Sequence, residues 1–325
     1  MSGGNDGKLV EIALVGSLPA SLVGALESRF TLHHIHKERD PLAKLEEVGP
    51  QIRGAVGHGM AGLTKPYIEL MPDLEVFAIH GVGLETTDMA ACRERGIVVT
   101  TTPVLFDDVA DLALALALAT CRQLPRADRF VREGEWKKGR MSPGRKLTGM
   151  RAGIVGLGRI GLEVARRLEG FKTQISYIDL ATRDVSYRRM SDAVALAREV
   201  DILFLCASGP PKGKGPPMIN QEVFEALGSR GTFINVARGW LVDEAALVRA
   251  LKSGRLGAAG LDVFDDEPNV PRELFELDNV VLTPHIASAT EETYQAMGDN
   301  VLANLLSWFS GRGAVTPAGN GHFQS

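Results

Sequence analysis

Short apolar runs alternate with segments of helical spacing along most of this 325-residue chain. Runs of β type stand at 10–15, 54–56, 76–79 and 97–100, separated by patterns such as 21–29 and 88–95 in which apolar residues recur at helical intervals. After Pro103 a helix-rich stretch extends to about residue 138, and a second alternating series begins at Ala152, with strands predicted at 152–155, 174–178, 202–206, 231–236, 257–261 and 280–283. Strand and helix in alternation imply parallel strands joined by crossovers, so the pattern predicts α/β architecture with parallel sheets covered on both faces. The six strands of the second series suit a doubly wound nucleotide-binding unit. A final helical pattern at 290–309 has no strand after it and must pack on something already built.

The most apolar stretch, 112–119, alternates Leu and Ala and could pass for a strand. Both residues are strong helix formers, however, and Asp107 and Asp108 supply acids for a helix N-terminus, so a buried helix is predicted there. It is far shorter than the roughly 20 residues that span a bilayer, and no membrane role follows. The N-terminal Met-Ser-Gly-Gly-Asn-Asp-Gly has no basic region followed by an apolar core and reads as a floppy leader, while residues beyond Pro317 look too polar and Gly-rich to be ordered unaided.

Composition changes this picture little. With 45% hydrophobic and 23% charged residues the chain is an ordinary globule, long enough for two cores. A net charge of -4 gives no basic footprint for nucleic acid. Cys92, Cys121 and Cys206 are odd in number and far apart, which suggests neither a disulfide framework nor a zinc site, and fits a reducing cytoplasm.

The chemistry begins at Gly156-Leu157-Gly158-Arg159-Ile160-Gly161, between the strand at 152–155 and a helical pattern starting near Ile160. Gly156 allows the tight turn, Gly158 lets a pyrophosphate approach the backbone, and Gly161 lets the helix pack closely, while helix N-terminal amides face the phosphates. Asp179 closes the next strand, 18 residues beyond Gly161, where a carboxylate accepts from a ribose 2'-hydroxyl and repels a 2'-phosphate. That favours NAD, with NADP possible, because Arg183, Arg188 and Arg189 follow and could meet a phosphate or simply face solvent.

Farther on, Arg238, Glu267 and His285 each end an apolar run. As hydride reaches a carbonyl beside a carboxylate, negative charge grows on the carbonyl oxygen, so a proton donor and a fixed cation lower the barrier. His285 is the candidate donor and Arg238 the cation, whose planar fork also grips a carboxylate. Glu267 would orient the imidazole and favour its protonated form. Singly, the histidine could be a satisfied loop residue, and Glu267 could join Asp265 and Asp266 in a solvated acidic trio.

In this order and context, N-x-A-R-G-x-x-V-D-E at 235–244, L-D-V-F-x-x-E-P at 261–268 and T-P-H-I-A at 283–287 resemble the D-2-hydroxyacid dehydrogenase family, and within it the glyoxylate/hydroxypyruvate and hydroxyphenylpyruvate reductase branch. The resemblance implies two Rossmann-like or flavodoxin-like parallel-sheet domains with a cleft between them. One would be a discontinuous substrate domain from 1–100 plus 288–325, completed by the last helix, and the other a dinucleotide domain at 101–287. It implies NAD(P)-dependent reduction of a small 2-oxoacid. It also implies a homodimer, to which the apolar helix near Asp111 lends support.

Several residue roles come with the resemblance. Val82 and Gly83, after His80-Gly81, would bind the substrate carboxylate through their amides, and Met60, after His58-Gly59, would line the pocket. Arg159, Ile160, Cys206 and Ala237 join the glycines as cofactor contacts, and Asp262 would accept a hydrogen bond from the nicotinamide carboxamide, unless it is a helix cap or a solvated acid. Trp136 would cap the pocket or pack at a subunit contact. The 208–217 loop departs from the family's P-L-T-P-E-T turn and is about two residues longer. No metal is expected: His33, His34 and His36 are placed on a surface strand with no carboxylate in view. Alternatives to this enzyme are a phosphoglycerate-type dehydrogenase and a dinucleotide-sensing scaffold resembling the family's corepressors.

Overall fold

The computed structural model describes residues 9–318, so the leader and all of the tail beyond Ala318 lie outside the described residues. The chain divides into two compact units, one formed by residues 1–105 with 289–325 and the other by 106–288. In chain order the first unit contains β1 (Glu11–Leu14), α1 (Ala20–Glu27), β2 (Thr31–His33), α2 (Pro41–Val48), β3 (Ile52–His58), α3 (Lys65–Leu70), β4 (Val76–His80), α4 (Met89–Glu94) and β5 (Val98–Thr100). The second contains α5 (Phe106–Arg122), α6 (Leu124–Arg132), β6 (Arg151–Val155), α7 (Arg159–Gly170), β7 (Gln174–Ile178), β8 (Arg188–Arg189), α8 (Ala193–Glu199), β9 (Ile202–Leu205), α9 (Gln221–Leu227), β10 (Thr232–Asn235), α10 (Glu244–Lys252), β11 (Ala258–Leu261) and β12 (Val280–Leu282). The last helix, α11 (Glu291–Phe309), returns to the first unit.

The first unit is a five-stranded sheet in the order β2-β1-β3-β4-β5, parallel throughout. Alternate residues of its strands feed two cores, as the period of two requires. Ile12, Leu14, Val56, Val76 and Ala78 face Leu22 and Leu26 of α1 and Val301 and Leu305 of α11, whereas Ala13, Ala55, Phe77 and Val99 face the α2, α3 and α4 layer. Val301 and Leu305 are fully buried, each contributing about 1.5–3 kcal/mol, which is why a helix with no following strand docks here. The chain beyond it is tied down by buried Asn304, whose Oδ1 accepts from the N–H groups of Val315 and Thr316, and by the Ala318 N–H, which donates to the Val99 carbonyl.

The second unit is a seven-stranded parallel sheet ordered β12-β11-β10-β9-β6-β7-β8. Strand order reverses at β6 and β9, the switch point beside which ligands bind in open α/β sheets. The two-residue edge strand β8, built from Arg188 and Arg189, has too little apolar character to be read from sequence. Helix starts follow local chemistry: Asp192, Asn220 and Asp243 cap α8, α9 and α10 by accepting from backbone N–H groups three residues on, worth about 1 kcal/mol each.

Two expectations need correction. The apolar helix predicted at 112–119 extends over the whole of α5, but its buried residues, among them Ala113, Leu116 and Ala117, are covered within its own unit. Gly260 of β11 lies so close to α5 that an added Cβ would sit 3.1 Å from Leu116 Cβ. Much of its apolarity therefore serves internal packing, while Leu112 and Leu118 remain partly exposed. Exposed apolar side chains follow this helix at Leu124, Val131 and Trp136, and α6 has no buried residue. In the first unit the strand ends at His33, and His36 lies in a 3-10 turn; His33 and His34 have carboxylate partners, Glu11 of β1 at 2.5 Å and Glu27 of α1 at 3.0 Å. Among the described residues no His, Cys, Asp and Glu cluster could hold a metal ion.

Candidate active site

The turn from β6 into α7 shows why its three glycines are where they are. Gly156 has φ of +89°, and a Cβ there would lie 2.5 Å from Ala207 Cα, so only glycine fits between the two loops. A Cβ on Gly161 would lie 2.1 Å from the Gly156 carbonyl oxygen. Gly158 differs: it is the N-cap of α7, and a Cβ on it would meet nothing within 4 Å. Its lack of a side chain keeps open the space in front of a 12-residue helix N-terminus, which is the fit a pyrophosphate requires. Arg159 opens the helix with its guanidinium 5.0 Å from the Phe106 ring centre, and Ile160 follows it. Cys206 continues from β9 beside this loop, its N–H donating to the Val155 carbonyl, and burial pushes its thiol up to about 12.

Asp179 follows β7 and is more engaged than the sequence suggests. Its Oδ2 accepts from Leu157 N–H at 2.7 Å and its Oδ1 from Ala181 N–H at 3.0 Å, while Arg183 Nη2 stands 3.4 Å from both oxygens. The carboxylate thus braces the glycine loop itself, and one of the arginines assigned to solvent or phosphate is its ion-pair partner. Arg189 bonds to the Asp179 and Leu180 carbonyls and to Thr182 Oγ1, which fixes the turn in between.

Arg238, Glu267 and His285 come together. His285 Nδ1 and Glu267 Oε2 are 2.6 Å apart, and Glu267 Oε1 accepts from Phe264 N–H at 2.9 Å. Burial pushes the Glu267 carboxyl up, but the bonds from His285 and Phe264 and the charges of His285 and Arg238 outweigh it and hold the group below its ordinary value. Glu267 is therefore no member of a solvated trio. The Arg238 segment is set by Asn235, whose Oδ1 accepts from Ala237 N–H at 3.0 Å and whose Nδ2 donates to the Arg238 carbonyl at 3.2 Å. Ala237 itself is buried.

His285 has φ of +53°, a left-handed conformation uncommon outside glycine. The device that imposes it is Asp262, which is fully buried at the end of β11. The Asp262 carbonyl accepts from His285 N–H at 2.8 Å, Oδ1 accepts from Thr283 Oγ1 at 2.7 Å and Ile286 N–H at 2.9 Å, and Oδ2 accepts from Ala287 N–H at 2.9 Å. Burial raises this carboxyl's pKa against the effect of those donors. Neither a helix cap nor a solvated acid, Asp262 is the buried post around which the histidine turn is wound.

The candidate substrate residues lie in the first unit. A Cβ added to Gly59 would lie 3.5 Å from Gly83 Cα, so the 58–60 turn and the 81–83 loop are neighbours at the C-terminal ends of β3 and β4. Gly81 has φ of +127° and donates its N–H to Thr102 Oγ1, which turns the chain before Val82. Among the described residues the N–H groups of Val82 and Gly83 have no hydrogen-bond acceptor. Met60 is exposed.

Residues 114–287 match the family model described as the D-isomer specific 2-hydroxyacid dehydrogenase NAD binding domain. The chain is also 42% identical over 310 residues to glyoxylate/hydroxypyruvate reductase A of Arabidopsis thaliana, covering 95% of this chain and 98% of that one. The chain belongs to the D-isomer specific 2-hydroxyacid dehydrogenase family. It is thereby an NAD(P)-dependent oxidoreductase. Hydroxyphenylpyruvate reductase of Plectranthus scutellarioides is 45% identical over 297 residues, covering 90% and 93% of the two chains. Among solved structures, a 2-hydroxyacid dehydrogenase from Ketogulonicigenium vulgare superposes with a TM-score of 0.90 at 43% identity over 96% of this chain and 98% of that one. An NADPH-dependent glyoxylate/hydroxypyruvate reductase from Sinorhizobium meliloti, in complex with NADP and malonate, gives 0.86 at 37% over 96% and 97%.

Sequence reasoning missed parts of this dehydrogenase site that are contributed from outside the motifs' charged positions. Asn235 and Thr283 were visible only as motif letters, and Trp240, whose ring centre lies 6.0 Å from the Arg238 guanidinium carbon, carried no signal at all. The 208–217 loop, of open effect in the sequence, is anchored at Pro210 and Lys212.

Proposed function

We propose that this chain reduces a small 2-oxoacid of the glyoxylate, hydroxypyruvate or aryl-pyruvate class to the D-2-hydroxyacid, with His285 as the general acid. The observation that carries this reading is the 2.6 Å contact between His285 and Glu267 with the charge of Arg238 acting on the same carboxylate. Glu267 holds His285 Nδ1, so Nε2 is left to give a proton to the carbonyl oxygen as charge grows there. Arg238 supplies a fixed cation and a planar fork for the acid's carboxylate. Gly156, Gly158, Arg159, Ile160, Gly161, Cys206 and Ala237 are the proposed dinucleotide contacts; bound there, the reduced nicotinamide supplies the hydride. Asp262 is proposed to act on the nicotinamide end chiefly by fixing the 283–287 turn. In the first unit, the Val82 and Gly83 amides and Met60 are the proposed substrate contacts, supported by the free donors of that loop.

NAD is the preferred form in this reading, because a 2'-phosphate would meet the Asp179 carboxylate, while the adjacent Arg183 leaves NADP usable. The partner is a second copy of the chain, supported by exposed Leu124, Val131 and Trp136 on a segment whose helix has no fully buried residue. The compartment is the cytoplasm, in keeping with three free cysteines; no helix among the described residues is long and apolar enough to cross a membrane. The test is absorbance of NADH and of NADPH with glyoxylate, hydroxypyruvate and phenylpyruvate in turn. Turnover with at least one acid and a higher kcat/KM for NADH is expected; dinucleotide binding without turnover of any acid would leave a sensing scaffold instead.

A further inference from the structure

The Gly/Pro/Lys-rich loop at 208–217 is not a free surface excursion. Its Pro210 carbonyl accepts from Trp240 Nε1 at 3.1 Å, and Lys212 Nζ reaches Asp265, 3.1 Å from Oδ1 and bonded also to its carbonyl. Both anchors flank the chemistry: Trp240 is two residues after Arg238, and Asp265 two residues before Glu267. Between them Gly239 packs backbone to backbone on Phe264, with no room for a Cβ, and Asp265 N–H donates to Glu244 Oε1 at 3.2 Å. One loop therefore grips the two segments that carry the cation and the carboxylate.

We propose that the 208–217 loop is a strap whose main purchase is Trp240, and that Trp240 is a positioning residue which holds the Arg238 guanidinium for the substrate carboxylate. The inference rests on the reductase reading given above. The indole lies beside the guanidinium at 6.0 Å and is itself pinned by the Pro210 carbonyl, so its ring cannot turn away without breaking a hydrogen bond. The second anchor is weaker. Lys212 and Asp265 side chains are 52% and 44% exposed, and an ion pair that open to water contributes little, so the Lys212 anchor holds the loop less than Trp240 does. The loop supplies the carbonyl that locks the indole, which links it to a tryptophan 30 residues away.

Three variants separate the parts: Trp240→Leu removes ring and donor, Trp240→Phe keeps a ring without the donor, and Lys212→Met cuts the outer anchor. Hydrogen exchange of the Lys214 amide, which donates to the Pro211 carbonyl inside the loop, reads the strap without any turnover, and KM against kcat for the 2-oxoacid reads the positioning. The expected result is faster exchange in both Trp240 variants, with KM raised roughly fivefold to tenfold in Trp240→Leu, less in Trp240→Phe, and kcat changed by under about threefold. Lys212→Met should speed exchange slightly and leave KM within about twofold. Binding of oxalate, an unreducible dicarboxylate, to the protein saturated with dinucleotide should weaken in the same order. Unchanged exchange in Trp240→Leu overturns the strap, and unchanged KM and oxalate affinity overturn the positioning role, in each case with the parent's turnover intact. If the parent neither turns over a 2-oxoacid nor binds oxalate, the reductase reading fails and the positioning role with it, while exchange still decides the strap.

Discussion

The C-terminal edges of the two sheets are built on opposite electrostatic principles. On the seven-stranded sheet the carboxylates of the site are all partnered: Glu267 has His285 and the Phe264 N–H, Asp262 has three donors, and Asp179 has two N–H groups and Arg183. On the five-stranded sheet His58 and His80 stand side by side at the ends of β3 and β4, and their pKa values are pushed down by burial, with added repulsion on His58 from His36 and on His80 from His58. One edge fixes charges where chemistry needs them; the other disfavours charge on its imidazoles and presents backbone N–H groups. The difference shows that a parallel sheet's edge is not by itself a reactive site: the loops decide whether it holds charge or excludes it.

The largest effect expected from breaking that contrast is at the charged edge. His285→Ala should lower kcat by roughly a thousandfold, the range for loss of a positioned acid, while dinucleotide affinity is retained. A steady-state assay beside a binding titration checks this; unchanged turnover would remove His285 from the chemistry. Asp262→Ala comes next, leaving three donors inside a closed turn without their acceptor and releasing the left-handed His285 backbone. Stability should fall by about 2–4 kcal/mol in urea denaturation, with activity reduced even in the protein that remains folded.

The glycine loop allows a sharper pair. Gly161→Ala drives a Cβ to 2.1 Å from a backbone oxygen, so it should cost about 1–3 kcal/mol of stability. Gly158→Ala meets open space and should leave stability unchanged while weakening dinucleotide binding by roughly tenfold, because the new methyl occupies the approach to the helix N-terminus. Equal effects on stability from the two substitutions would contradict the division of labour between these glycines.

How much of this was legible beforehand follows the same division. The glycine spacing, the acid at 179 and the ordered Arg238, Glu267 and His285 are local patterns, and alternating apolar runs exposed every strand of the second unit except β8, because parallel strands buried on both faces read as continuous apolar segments. What stayed hidden depends on contacts between distant segments. The role of Asp262 required knowing that β11 and β12 are neighbours, the pairing of Asp179 with Leu157 required the register of β6 and β7, and no periodicity links Trp240 to Pro210. The apolarity of α5 was visible but ambiguous, since an Ala/Leu face serves close packing on Gly260 as well as it would serve a partner.

The smallest effect is the most direct probe of the comparison, because acid should act on the two edges in different pH windows. His58 and His80 have folded pKa values below their ordinary 6.5, so the unfolded chain takes up protons that the folded edge refuses, and the first unit loses stability as pH falls through about 6.5. Glu267 is depressed from 4.5, so its contribution is complete above that value and is lost only as pH falls below it; Asp262, raised from 3.8, works the other way and is relieved by protonation. Trp308 lies in the first unit and Trp136 and Trp240 in the second, so urea midpoints in single-tryptophan backgrounds report each unit separately. Trp308 should register a decline between about pH 7 and 5 that His58→Asn with His80→Asn flattens, and Trp240 a decline only below about pH 5 that Glu267→Gln flattens. A first unit indifferent to pH between 7 and 5 would mean that its imidazoles are protonated as readily in the fold as in water, and the electrostatic contrast between the two edges would be gone.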